Sequence, residues 1–127
     1  MLQVEQINEL KARVEKLSAS IDVEQRRIDL QNEQERTEEP NFWDNPDEAR
    51  KQLKKVADIK ASIDDYEAAE RTVADLDLVP DFVAEGVLSE AEAEEQYALA
   101  VELVEKLELK QMLSGKEDKL GAIMDIN

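Results

Sequence analysis

Apolar side chains that recur every three or four residues constrain this chain more than any other feature of its sequence. Near the start this spacing is kept by Ile7, Leu10, Val14, Leu17 and Ile21. The spacing places apolar groups on one face of an α-helix and does not fit the strict alternation of a half-buried strand. An apolar helix face must be buried against another element, so the repeat predicts several helices packed around a common core. Only three Gly and three Pro occur in 127 residues, which favours long helices.

Local signals mark a break in the first helical stretch. The apolar spacing weakens over residues 18–22, where Asp22 is a good N-cap and Gln25 follows three residues later. We therefore expect two helices, over about 2–18 and 23–38, with a bend between them. One continuous helix over residues 2–38 is the alternative.

A longer helix is predicted over about 46–77, because an apolar seam continues through that range before Val79-Pro80 closes it. At a rise of 1.5 Å per residue it should span about 45 Å and overhang its shorter neighbours or bend. Residues 80–86 fit a single irregular turn ended by Gly86, with Phe82 and Val83 pointing inward. The predicted seam consists of Leu53, Val56, Ile59, Ile63, Tyr66, Ala69, Val73 and Leu76.

A last helix is predicted from the capping box formed by Ser89 and Glu92. It should run to about Leu113 and stop at Ser114-Gly115, since Gly commonly follows a helix C-terminus. Its predicted apolar face consists of Tyr97, Ala100, Val101, Leu103, Val104, Leu107 and Met112.

The corner between the second and third helices is the most distinctive segment and contains the single Trp of the chain. Pro40 should end one helix, because it lacks an N–H and disfavours helical geometry in the residue before it. Asn45 as N-cap and Pro46 at the first helical position should start the next. We expect Phe42 and Trp43 to fold back as a buried plug, so that Trp43→Ala would cost about 3–5 kcal/mol. The physical chemistry favours a well-packed structural corner for these five residues, and they are predicted as such, with no partner-binding role assigned to any of them.

The pattern changes at the end of the chain, over residues 120–127, where Ala122, Met124 and Ile126 alternate with Ile123, Asp125 and Asn127. This alternation predicts a strand, and a lone strand is not stable by itself. Either it pairs between chains or the chain has been cut just after a domain boundary, which we favour. The expected domains are therefore a helical domain over 1–117 and the first strand of a truncated domain over 118–127. Short connections at 39–45 and 77–89 make the expected fold an all-α antiparallel bundle of about four helices.

The charge of the chain is −16 and is concentrated in residues 64–108, which contain fifteen acidic and two basic residues. Such a surface disfavours phosphate, because nucleic-acid binding depends on Lys and Arg displacing counterions. We therefore expect the acidic surface to face protein or solvent, with no direct nucleic-acid binding. The only basic cluster, Lys51–Lys60, is interpreted as a solvated helix face.

Residues for known site chemistries are missing. The chain has no His and no Cys, which excludes Ser-His-Asp and Cys-His catalysis, thiolate metal sites and disulfides. Asp75-x-Asp77 is not a calcium loop, because Val79 occupies a ligand position. No apolar run reaches the roughly 20 residues of a membrane span. The residues alone predict a non-catalytic, cytoplasmic, acidic helical interaction module without metal or cofactor.

Two rival interpretations stay open at this point. One is a free-standing coiled-coil protein that self-associates through the stripe of Ile7, Leu10, Val14 and Leu17. The other is an enzyme whose carboxylates bind a metal, which the expected solvent exposure of those carboxylates disfavours.

Several loop motifs resemble those of the release factor 2 family of bacterial class I peptide chain release factors, in its N-terminal region. The resemblance covers essentially the whole chain from about residue 7. The motifs are Ile21-Asp22-Val23-Glu24, the corner from Glu39 to Pro46, the run Leu107–Asp118 and the final Ala122–Asn127. These motifs do not follow from helical composition.

The resemblance implies a role in translation termination at UAA and UGA stop codons. Members of the family read the codon through a Ser-Pro-Phe tripeptide and trigger peptide release through a Gly-Gly-Gln loop, and neither tripeptide occurs here. The resemblance implies that this chain corresponds to the first, helical domain of such a factor. That domain would lie in the cytoplasm on the ribosome, near the stalk base with its L11 protein and near the GTPase release factor. No individual partner-binding residue follows from the sequence.

Overall fold

Three helices share one apolar core in the computed structural model, which describes the backbone of residues 2–124 and the side chains of residues 2–114. They are α1 (Val4–Ile21), α3 (Pro46–Asp75) and α5 (Glu90–Met124). A shorter α2 (Val23–Arg36) and a six-residue α4 (Val79–Ala84) complete the helices of this part of the chain. Single 3-10 turns lie at Phe42–Asp44 and Leu76–Leu78. Over residues 2–124 the fold is therefore all-α, as predicted.

The apolar stripe of α1 forms one wall of the core. All five of its predicted members are buried, and the helix packs against both α3 and α5. The second half of α3 and the middle of α5 supply the facing side chains. Because this stripe is already buried within one chain, it is not available as a dimer interface, which argues against the rival interpretation of a self-associating coiled coil. The buried core members outside α1 are Leu2, Val23, Tyr66, Ala69, Val73, Leu76, Val79, Ala93, Ala100, Val104 and Leu107.

The break between α1 and α2 occurs at Asp22, as predicted. This residue has φ 56° and ψ 63°, the left-handed conformation that Asp tolerates better than most non-glycine residues. Its backbone N–H donates to the Ser18 carbonyl, and its carboxylate accepts from the Gln25 N–H at 3.3 Å. The two bonds end one helix and begin the next, so the alternative of one continuous helix is wrong.

Helix α2 packs against the first half of α3, and we call α2, residues 37–45 and residues 46–62 of α3 the arm. Apart from Val23, no described residue of the arm belongs to the shared core. Ala49 of α3 and Glu33 of α2 are buried between the two helices, while Leu53, predicted as a seam residue, is largely exposed. The arm is therefore held mainly by the interface between α2 and α3, and the continuous α3 joins it to the shared core.

The turn from α3 to α5 is more regular than predicted, because α4 replaces the expected irregular turn. Val83 is half-buried and packs against the core as expected, whereas 37% of the Phe82 surface is exposed, so Phe82 is not the buried residue that was predicted. Gly86 has φ 78°, which a side chain would strain. The Ser89–Glu92 capping box is confirmed by N–H to side-chain oxygen bonds of 3.0 and 3.1 Å in both directions.

The predicted strand at the C-terminus is wrong over residues 118–124, where the backbone continues α5 to Met124. Residues 125–127 of that prediction lie outside the described residues. Ser114-Gly115 does not end the helix, because an interior Gly costs only about 1 kcal/mol relative to Ala. A helix satisfies its own backbone groups, whereas a single strand would leave them unpaired. Among residues 2–124 no helix is both long and apolar enough to cross a membrane.

Candidate functional site

The corner predicted from sequence lies where α2 turns into α3, and hydrogen bonds hold its backbone on both sides. Helix α2 ends at Arg36, before Pro40, and Thr37 Oγ1 donates to the Gln34 carbonyl at 2.6 Å. Inside the corner the Phe42 N–H donates to the Glu39 carbonyl at 3.0 Å. The loop is thus built from helical turns rather than extended chain.

Asn45 and Pro46 start α3 as the sequence predicts. Asn45 Oδ1 accepts from the Glu48 N–H at 3.3 Å, and Pro46 occupies the first turn. Pro fits there because its missing N–H would have no helical partner. The predicted corner residues Pro40, Phe42, Trp43, Asn45 and Pro46 are therefore brought together at one end of the arm.

The prediction that Trp43 is a buried plug is wrong, since 63% of its surface is exposed. Its indole meets the half-buried ring of Phe42 edge-on, with ring centroids 5.1 Å apart and planes at 82°. This T-shaped arrangement is a favoured geometry for aromatic pairs. The physical reason for the exposure is that only α2 and α3 meet at the corner. No third layer is described there to cover the indole.

A depression of about 370 Å³ lies beside the Phe42 ring. Its floor includes the buried Ala49, and carboxylates from both sides of the corner line it. Trp43 is not among the residues that line this depression, although its ring contacts that of Phe42. The lining residues are Arg36, Glu39, Asn41, Phe42, Asp44, Asn45, Glu48, Ala49 and Gln52.

A buried polar contact below the depression joins the two helices of the arm. Gln52 Nε2 donates to the Glu33 carbonyl at 2.8 Å and to its Oε1 at 3.0 Å, and Lys55 Nζ lies 3.3 Å from that same Oε1. The Gln52 hydrogen bond and the two nearby cations, Lys55 and Arg36, hold the pKa of Glu33 below its ordinary value. This contact was not predicted, because by residue type Glu33 looks like any other charged residue of α2. Its alignment in the i, i+3, i+4 series with Val23, Arg26 and Leu30 was the available signal.

The acidic surface of residues 64–108 lies mainly on the outside of α3, α4 and α5. Four of its described members pair with cations across helices: Asp77 with Lys11 at 2.6 Å, Asp65 with Lys110 at 3.1 Å, Glu67 with Arg27 at 3.0 Å, and Glu108 with Arg13. Arg13 binds Glu108 through two N–H donors at 3.0 and 2.5 Å, which lowers the pKa of Glu108 and raises that of Arg13. The acids on the outer face of α5 remain exposed, including Glu95, Glu102 and Glu105.

A third exposed feature is apolar and lies on α5 just past the core. Met112, predicted to belong to the apolar face of the last helix, is largely exposed, as are Leu109 and Leu113. Within the side chains that the structure describes, no group of three or more acidic residues is arranged to hold a metal ion.

Comparison with known proteins points to one family. The family model of the PCRF domain matches residues 23–127. Peptide chain release factor 2 of Streptomyces avermitilis is 26% identical over 96% of this chain, and that of Corynebacterium diphtheriae is 29% identical over 97%. A Staphylococcus aureus peptide chain release factor 2 is 27% identical over 96%. The chain spans about a third of the length of these relatives, at 34%, 33% and 36%. No solved structure matches it.

Proposed function

Because the chain belongs to the PCRF domain family, we propose that it serves translation termination as the N-terminal domain of a bacterial peptide chain release factor. The observation that carries this proposal is the family match over residues 23–127. Similarity to release factor 2 proteins extends over nearly the whole chain, including α1. From the family resemblance, the parent factor acts in the cytoplasm and directs release at UAA and UGA codons.

The domain acts by docking, and the chemistry of peptide release belongs to other parts of the factor. Its partners are the ribosomal stalk base with its L11 protein and the GTPase release factor. The exposed acids of α5 support this role, because an acidic surface complements basic ribosomal proteins and increases the rate of encounter with them. We assign no catalytic residue, metal or cofactor to the domain.

A domain exchange tests the termination role. The matching third of the Streptomyces avermitilis factor is replaced by this chain, and peptide release is measured on ribosomes carrying UAA, UGA or UAG. The chimera should reach half-maximal release at a factor concentration close to that of the parent, with UAA and UGA but not UAG. Its controls are the same factor without the exchanged third and a chimera with Leu10→Asp, which destroys the core. The proposal would be refuted if the chimera reached half-maximal release only at a concentration as high as that of either control.

A charge reversal tests the docking surface separately. Glu95→Lys, Glu102→Lys and Glu105→Lys together should weaken binding of the chain to purified L11 protein by at least about tenfold, through loss of the complementary field. Glu5→Lys, Glu9→Lys and Glu15→Lys on α1 change the net charge equally and form the matched control. Unaltered binding by the α5 variant, or equal weakening by both, would contradict docking through α5.

A further inference from the structure

The backbone on both sides of the exposed aromatic pair is fixed by hydrogen bonds at the ends of α2 and α3. Asn45 caps the helix on one side, Thr37 closes the helix on the other, and a 3-10 turn carries the rings between them. An indole that is 63% exposed leaves a large apolar surface in water. Trp is enriched at binding hot spots, because it brings much contact area at little cost in side-chain entropy.

The surroundings of the rings carry a negative field. Glu39, Asp44 and Glu48 line the depression beside Phe42 together with a single cation, Arg36, so the acids outnumber the bases there. Within the described part of the chain, neither Glu39 nor Asp44 forms an ion pair. Glu48, on the same wall, has only a contact of 3.7 Å with the exposed Lys51. These carboxylates are available to a cation, and they repel a phosphate group.

We propose that this surface, which we call the arm tip and define as Glu39, Phe42, Trp43, Asp44 and Glu48, binds an arginine-containing basic segment of a partner protein. The aliphatic stem of the arginine packs on the Phe42 and Trp43 rings. Its guanidinium reaches the carboxylates of the depression and lies against the indole face as a cation–π contact. This inference stands on the geometry of the corner and does not depend on the termination role.

Arginine fits this surface better than lysine. A planar guanidinium stacks on an aromatic ring and offers paired N–H donors to a carboxylate, whereas an ammonium is a compact, strongly hydrated point charge. RNA is the competing class of partner, since bases also stack on exposed Trp. The unpaired carboxylates beside the rings argue against a phosphate backbone.

Intrinsic fluorescence tests the proposal directly, because Trp43 is the only Trp in the chain. The probe is a synthetic octapeptide of alternating arginine and alanine, titrated into the full 127-residue chain. A saturable change in Trp43 emission is expected. The lysine version should bind several-fold more weakly, and a glutamine version should leave the emission unchanged. Equal responses to the arginine and glutamine peptides would overturn the proposal, as would a comparable saturable response to a single-stranded RNA oligonucleotide.

Variants separate the arm tip from the general acidity of the chain. Glu39→Gln with Asp44→Asn should weaken arginine-peptide binding at least about fivefold, while Glu5→Gln with Glu9→Gln, which removes the same charge from α1, should leave it within about twofold. By calorimetry, Trp43→Ala should reduce binding and Trp43→Phe should retain most of it. Equal weakening by the two acid pairs, or full binding by Trp43→Ala, would refute a site at the arm tip. Far-UV circular dichroism of each variant checks that it remains folded.

Discussion

The core placement of α1 predicts a large loss of stability from Leu10→Ala. Leu10 is 1% exposed and lies in the middle of the buried stripe. The change removes the three side-chain carbons beyond Cβ, worth about 2.4 kcal/mol at roughly 0.8 kcal/mol per buried methylene. The cavity left behind adds to this, so the free energy of unfolding should fall by about 3 to 4 kcal/mol.

Ile28→Ala on α2 is the matched control, because 53% of the Ile28 surface is exposed and the residue is not part of the shared core. Its expected effect is below about 1 kcal/mol, since a mostly exposed side chain loses little burial and Ala favours the helix. Urea unfolding followed by far-UV circular dichroism measures both variants, and an unchanged slope confirms that the unfolded states are comparable. The placement of Leu10 in the core would be contradicted if Leu10→Ala lowered the free energy of unfolding by no more than Ile28→Ala does.

Three further results are expected. Trp43→Ala should lower the free energy of unfolding by less than about 1.5 kcal/mol, well under the value for a core Trp, because the indole is mostly in water. A decrease as large as that of Leu10→Ala in the same urea assay would contradict this. Ser89→Ala should cost about 1 kcal/mol in the same urea assay through loss of the cap to the Glu92 N–H, and Ser89→Thr should recover most of it. Glu108 has a folded pKa lowered by Arg13, so its contribution is present above its ordinary pKa of 4.5 and is lost as pH falls through the lowered folded value. As pH is lowered across that range, the free energy of unfolding should therefore fall less steeply for Glu108→Gln than for the unsubstituted chain. Parallel plots of unfolding free energy against pH for the two proteins would contradict the pairing.

The helical architecture could be predicted because its signals are local. The stripe of α1, the break at Asp22, the cap at Asn45 and the Ser89–Glu92 box each depend on residues within one or two turns. Apolar spacing also identified the core face of α1, since every member of that stripe is buried. Signals of this kind do not state how many layers of structure surround a given position.

The wrong predictions arose because local sequence signals do not show which other elements pack around a residue. Trp43 and Phe42 are large aromatic residues of the kind that usually fill a core. Only two helices meet at the corner, however, so the indole stays exposed. The alignment of Glu33 with Val23, Arg26 and Leu30 indicates an inward position, but its partner Gln52 follows only from the pairing of α2 with α3. The strand predicted near the end rested on a short alternation, which does not outweigh the continued hydrogen bonding of a helix already formed.

Amide hydrogen exchange in the native protein tests most directly the central claim of one three-helix core with a separately packed arm. The amides of Leu10, Val73 and Val104 should share the highest protection, because they exchange only when the common core opens. The amides of Leu30 and Val56 in the arm should exchange with a lower opening free energy. Protection of the arm equal to or above that of α1, or separate levels for α1 and α5, would contradict the shared core.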